Sequence, residues 1–120
     1  MLRNEFNKIL EAERWLYKYK SIKAGIKSLK EKYDSYIKSK IPDPIKITEI
    51  DKKIKDSQKR IEQIDRALSV LNKVEKEVII YKCIDGMFYY EFTYKVYKSE
   101  RQCKRIKKRA LEKIAIALGL

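Results

Sequence analysis

Apolar residues recur along the first half of the chain at alternating steps of three and four: Ala12, Trp15, Tyr19, Ile22, Ile26, Leu29, Tyr33 and Tyr36. That spacing keeps them on one side of a helix and is the heptad pattern of a coiled-coil seam. A second run, Ile47, Ile50, Ile54, Ser57, Ile61, Ile64, Leu68 and Leu71, repeats the steps with the polar Ser57 as its one interruption. Two long helices are predicted. Between them, Ser39-Lys-Ile-Pro-Asp-Pro carries two prolines, which lack an N–H and push Ile41 and Asp43 out of the helical region, so the chain must turn. Asp43 before Pro44 reads as an N-cap with proline at the first helical position; Thr48 with Asp51 three residues on is a competing start. The two seams have equal length, about 36 Å at the helical rise, and fit an antiparallel hairpin. The hairpin is expected over residues 1–72 with its turn near 38–46. In it Trp15 faces Leu68, Ile22 faces Ile61 and Ile26 faces Ser57. The short connection favours pairing within the chain, while Leu10 and Leu16 remain as second apolar positions through which a homodimer could form.

After Leu71 the pattern shortens. Val74, Val78, Ile79 and Tyr81 mark a third helix ending near Cys83, with Gly86 supplying a left-handed C-terminal residue. A fourth helix is predicted over residues 87–96, with Tyr89, Phe92 and Val96 inward and Tyr90, Glu91 and Lys95 toward water. Ser99-Glu100-Arg101-Gln102 has the form of a capping box, so a last helix starts there. At 100° per residue, Cys103, Ile106, Ala110, Leu111, Ile114 and Ala117 share one arc, and Arg101, Arg105, Lys108 and, to one side, Lys104 lie opposite. Lys107 falls inside the apolar arc, where its stem can lie on the core while its ammonium reaches water. The expected fold is all-α: a coiled-coil-like hairpin, then a helix-turn-helix domain over residues 73–120.

Composition narrows the chemistry. The chain has 120 residues, 44% hydrophobic and 39% charged, enough apolar surface for amphipathic helices around one small core. There is no histidine, which removes imidazole bases, Ser-His or Cys-His nucleophile pairs and His-containing metal sites. Three scattered glycines do not make a phosphate-cradling loop, and no nucleotide or other cofactor is expected. No set of carboxylates or thiols converges in the pattern, so no enzymatic activity is expected. No apolar run approaches the ~20 residues that span a bilayer, so the expected location is the cytoplasm. Cys83 and Cys103 lack CxxC spacing and read as reduced core thiols.

The net charge of +13 is unevenly spread. Residues 73–97 hold four basic and four acidic side chains, whereas residues 98–120 hold eight basic against two acidic. Charges over residues 1–72 are interspersed, as on solvated helix faces. A short turn at Tyr97-Lys98-Ser99 followed by a capped basic helix is the arrangement that places a recognition helix in a DNA major groove. Arg and Gln near its start can make paired hydrogen bonds to guanine or adenine, and lysines can hold phosphates. The candidate DNA-binding residues are Ser99, Arg101, Gln102, Lys104, Arg105, Lys108 and Arg109. Tyr89, Tyr90, Tyr94 and Tyr97 could stack on bases, but packed rings are the expectation for most of them.

The stretch LNKVEKEVIIYKCIDGMFYYEFTYKVYKSERQCKRIKKRALEKIAIAL, residues 71–118, resembles the fourth region of bacterial sigma factors, with SERQCKRIKKRALEKI its most specific part. Joined to AERWLYKYKSIKAGIKSLKEKY, it is similar to the phage and prophage late-gene transcription regulators of the ArpU and RinA type. The resemblance implies a sigma-like regulator in the bacterial cytoplasm. It would bind double-stranded DNA and work with host RNA polymerase, with Arg101, Gln102, Lys104 and Arg105 at DNA-contacting positions. Primary sigma factors commonly carry a glutamate where this chain has Arg101, so base preference does not transfer. The hairpin leaves no counterpart of the sigma region that melts promoter DNA. A small terminase subunit for phage packaging and a helical adaptor without DNA binding are the alternatives.

Overall fold

Among the described residues of this computed structural model, 2–120 for the backbone and 4–120 for side chains, every regular element is helical. In order they are α1 (Leu2–Tyr17), α2 (Tyr19–Ile37), α3 (Pro44–Ser69), α4 (Lys73–Ile79), a π turn over Ile80–Ile84, α5 (Tyr89–Val96) and α6 (Glu100–Ala117). The all-α class is as expected. No described helix is long and apolar enough to cross a membrane.

Local chemistry sets the helix ends. Asp43 Oδ1 accepts from the N–H of Ile45 at 3.0 Å, so α3 starts at Pro44. Thr48, the competing start, lies inside the helix with its hydroxyl donating to the Pro44 carbonyl at 2.8 Å. Asn72 and Glu75 form a capping box at α4: the Glu75 N–H donates to Asn72 Oδ1 at 2.9 Å and the Asn72 N–H to Glu75 Oε1 at 3.0 Å. The chain then widens into the π turn, closed by Asp85 N–H to Ile80 O at 2.8 Å and Met87 N–H to Tyr81 O at 2.9 Å. Gly86, at φ +67°, takes the left-handed conformation. Because Met87 belongs to this turn, the fourth helix begins at Tyr89 and not at 87.

The single helix expected over 12–36 is two helices, jointed at Lys18, although the Lys18 N–H still donates to Arg14 O at 3.2 Å. The expected boundary after residue 72 divides the chain by role; packing divides it differently. One compact unit gathers residues 1–19 and 63–120, and a second holds residues 20–62. Lys18 lies beside that division.

In the first unit, α1 and α4 pack on α6, and α5 packs on α4 and α6. The larger core cluster joins Ala12 and Leu16 of α1, Ile64, Ala67 and Leu68 of α3, Ile79, Cys83 of the π turn, and Ala110, Leu111, Ile114 and Ala115 of α6. Trp15 packs against this cluster, which also holds Leu68, its expected counterpart. Tyr19 adds a hydroxyl donated to Asp65 Oδ1 at 2.6 Å. A smaller cluster joins Val78, Phe92, Val96 and Cys103. Leu16 is fully buried in the core, so it is not available as the dimerisation position its sequence spacing suggested.

In the second unit, α2 and the first part of α3 are connected through residues 38–43. The seam positions are the covered ones: Ile50, Ile54 and Ile61 are buried, and Ile22, Ile26, Leu29, Tyr33 and Tyr36 are half-buried. Two helices without a third layer cannot enclose their own seam fully, and α2 accordingly has no buried residue. Lys46 Nζ sits 5.9 Å from the Tyr36 ring centre, tying the two ends of the connection.

The core assignment has a direct consequence. Leu16→Ala is expected to destabilise the protein by about 2–5 kcal/mol. Tyr17→Ala, one residue on and 78% exposed, should stay within about 0.5 kcal/mol of wild type in the same denaturant titration. Equal losses would mean that α1 is not held by its inward face.

Candidate nucleic-acid interface

The start of α6 is built by its cap. Ser99 is extended (φ −70°, ψ 163°), its Oγ accepts from the Gln102 N–H at 3.1 Å, and its own N–H donates to Gln102 Oε1 at 2.9 Å. The capping box read from the sequence is therefore present, and it engages two of the proposed DNA contacts, Ser99 and Gln102. The Gln102 side-chain oxygen holds the helix end, so a paired contact with adenine, which needs both amide atoms, would compete with the cap.

All seven candidate residues, Ser99, Arg101, Gln102, Lys104, Arg105, Lys108 and Arg109, are exposed. They occupy the first three turns of α6 and its cap. Arg101, Arg105 and Lys108 share the outward face at helical spacing and have no ion pair among the described residues. Lys104 stands at the edge, 3.5 Å from Glu100 and 5.6 Å from the Tyr89 ring centre. That exposed i,i+4 pair is weak and leaves the ammonium available.

The face has two borders. On one side α1 brings Phe6, Leu10 and Glu13 into a groove shared with Lys104, Lys107 and Lys108. Lys107, the cation inside the apolar arc, ends 2.7 Å from Glu13. Burial works most strongly against its charge, but the hydrogen bond to Glu13 and the attraction of the surrounding Cys83, Glu13 and Tyr89 together outweigh it and raise its pKa above the ordinary lysine value. On the other side, Lys113 Nζ donates to both oxygens of Glu75 at 2.9 Å, fixing α6 to the start of α4, with Arg109 adding attraction.

Three residues important here went unread in the sequence: Glu13, Glu75 and Lys113. The Asn72-x-x-Glu75 spacing was a usable signal for one of them. Ala117, expected on the buried arc, is exposed, and Ala115 is buried instead. The approach of α1 toward Leu111 and Ala115 rotates the covered arc near the end of the helix. The cysteines are free and buried, and burial pushes the Cys83 thiol up to about 12, well away from a reactive thiolate.

The expectation that most of the tyrosine rings pack is overturned, while Tyr90 faces water as the helical phase predicts. Tyr89 is half-buried, but Tyr90, Tyr94 and Tyr97 are 75%, 67% and 90% exposed. The inward side of this eight-residue helix is filled by Phe92 and Val96, so residues on the opposite side have no core to enter. Tyr97 is also the one described non-glycine residue with positive φ, at φ 56° and ψ 39°, a conformation that costs about 1–2 kcal/mol for an L residue.

No family model, curated protein or solved structure matches this chain.

The Glu75 carboxyl supplies a pH signature. Burial raises its pKa, but the Asn72 N–H and the Lys113 ammonium outweigh that, and the net direction is downward. A carboxyl with a lowered folded-state pKa contributes stability above its unfolded pKa and loses it as pH falls through the folded value. Glu75→Gln should therefore be less stable than wild type at neutral pH, with the gap in melting temperature closing on acidification below the ordinary carboxylate range. A gap independent of pH would show that the carboxylate charge does not contribute.

Proposed function

We propose that the protein is a sequence-specific DNA-binding transcription regulator. In this reading α5, the Tyr97–Ser99 turn and α6 act as a helix-turn-helix, with α6 entering the major groove. The observation that carries it is the unpaired, exposed face of Arg101, Arg105 and Lys108 on a helix whose opposite side is buried. Further support comes from the short turn, the Ser99–Gln102 cap and the concentration of positive charge after residue 97. Arg101 and Arg105 would reach base edges, and Lys104, Lys108 and Arg109 would hold phosphates. Ser99 can donate its hydroxyl proton to a phosphate while its oxygen serves the cap.

The likeness of residues 71–118 to sigma-factor region four, and of the whole to phage late-gene regulators of the ArpU and RinA type, extends the proposal to activation of phage or prophage promoters with host RNA polymerase in the bacterial cytoplasm. The first 72 residues are read as a helical hairpin supporting that module. Its support is the coverage of the facing seams, buried at Ile50, Ile54 and Ile61 of α3 and half-buried along α2, and the Tyr36–Lys46 contact across the turn. A second role, docking of a protein partner, is favoured by the exposed apolar residues Ile37, Ile41 and Ile45 around that turn.

Duplex binding followed by fluorescence anisotropy across a salt series tests the main reading. Log affinity should fall linearly with log salt, and Lys108→Ala, which loses a phosphate contact, should lower the steepness by roughly 0.9. Arg105→Ala, which loses a base contact, should lower the preference among duplex sequences. Salt-independent binding, or none, would count against the proposal.

A further inference from the structure

The exposed aromatic side of α5 has no part in the reading above. Tyr90, Tyr94 and Tyr97 recur at i, i+4 and i+7, so the first two share one helix face and the third continues it at the turn. Phe88, 61% exposed, stacks on Tyr90 with ring centres 5.7 Å apart and planes 7° from parallel. Lysines border the rings: Lys82 lies 5.8 Å from the Phe88 centre, Lys95 lies 5.9 Å from that of Tyr94, and the exposed Lys98 follows Tyr97. Four exposed rings at this spacing contribute little to folding, whereas exposed aromatic residues gathered on one side of a helix ordinarily mark a binding surface.

Tyr97 supplies an independent observation. Its left-handed backbone is a conformation in which glycine or asparagine is the ordinary occupant, yet the chain holds a bulky ring there with 90% of the residue in solvent. Backbone strain that purchases no packing points to a ligand for the side chain. The lysines identify its class. Protein-binding surfaces deplete lysine among their contact residues, whereas single-stranded nucleic acid needs both parts, open ring faces for its bases and cations for its phosphates. A duplex hides its base faces within the stack. The rise of about 6 Å between residues four apart sets Tyr90 and Tyr94 as separate shelves along the helix.

We propose that Phe88, Tyr90, Tyr94 and Tyr97, with Lys95 and Lys98, form a stacking platform for unpaired nucleic acid, beside the duplex-binding face of α6. The platform shares the nucleic-acid reading of the protein but uses none of the α6 cations.

The test uses the full chain with two probes, a fluorescein-labelled oligothymidylate and a labelled mixed-sequence duplex, each titrated at low salt. Wild type binds the oligothymidylate. Tyr94→Ser and Tyr97→Gly each weaken that complex roughly tenfold, and Tyr94→Ser leaves duplex affinity unchanged. Arg101→Ala with Arg105→Ala weakens the duplex complex most. Tyr97→Gly also raises the melting temperature, because it relieves the left-handed strain, so its loss of affinity cannot come from misfolding. Absence of oligothymidylate binding by wild type overturns the platform, as does undiminished binding by both tyrosine variants. Tyrosine variants that lose the duplex and keep the oligothymidylate overturn it as well, by making the rings duplex contacts. Oligothymidylate binding without any duplex binding supports the platform and counts instead against the α6 reading.

Discussion

The enclosure of α6 organises the first compact unit. Helices α1 and α4 both pack on it, and α5 covers part of its beginning, so Cys103, Ala110, Leu111, Ile114 and Ala115 are all withdrawn from water. Charge cannot enter that enclosure without a partner, because an unpaired buried ammonium costs far more than a small domain has to spare. The cations of α6 are therefore sorted by packing. Lys107 enters and meets Glu13, Lys113 lies at the border and meets Glu75, and Arg101, Arg105 and Lys108 are left facing solvent together. The polarity of the helix follows from what its neighbours cover.

Much of this was legible from residue spacing. The two heptad runs marked the covered positions of α2 and α3, and Ser99-x-x-Gln102 marked the start of α6 to the residue. Gly86 signalled the left-handed end of the turn before α5. These are local features, set by helical period and by backbone groups that must find partners nearby. Less legible were facts that depend on a distant element. The seam beginning at Ala12 is silent about α1 packing on α6, and nothing adjacent to Lys107 announces Glu13, 94 positions away. The exposed Ala117 and buried Ala115 have the same origin, since a helical wheel cannot say from which side a neighbour approaches.

The tyrosines of α5 show a different limit. Residue type suggests burial, but an eight-residue helix has one inward side, and Phe92 and Val96 occupy it. What remains is an aromatic surface directly before a cationic one, joined by a turn in which Tyr97 carries backbone strain. Under the proposed reading the two surfaces divide the work by chemistry. Cations on α6 address a charged, stacked duplex, and rings on α5 address bases that have left the stack.

The most direct test of the account is a residue-resolved NMR titration of the full chain with a mixed-sequence DNA duplex at low salt. The account predicts amide shifts concentrated over residues 99–109, weakening as salt is added. Shifts confined to residues 20–62, or a spectrum unchanged by a saturating excess of duplex, would contradict it.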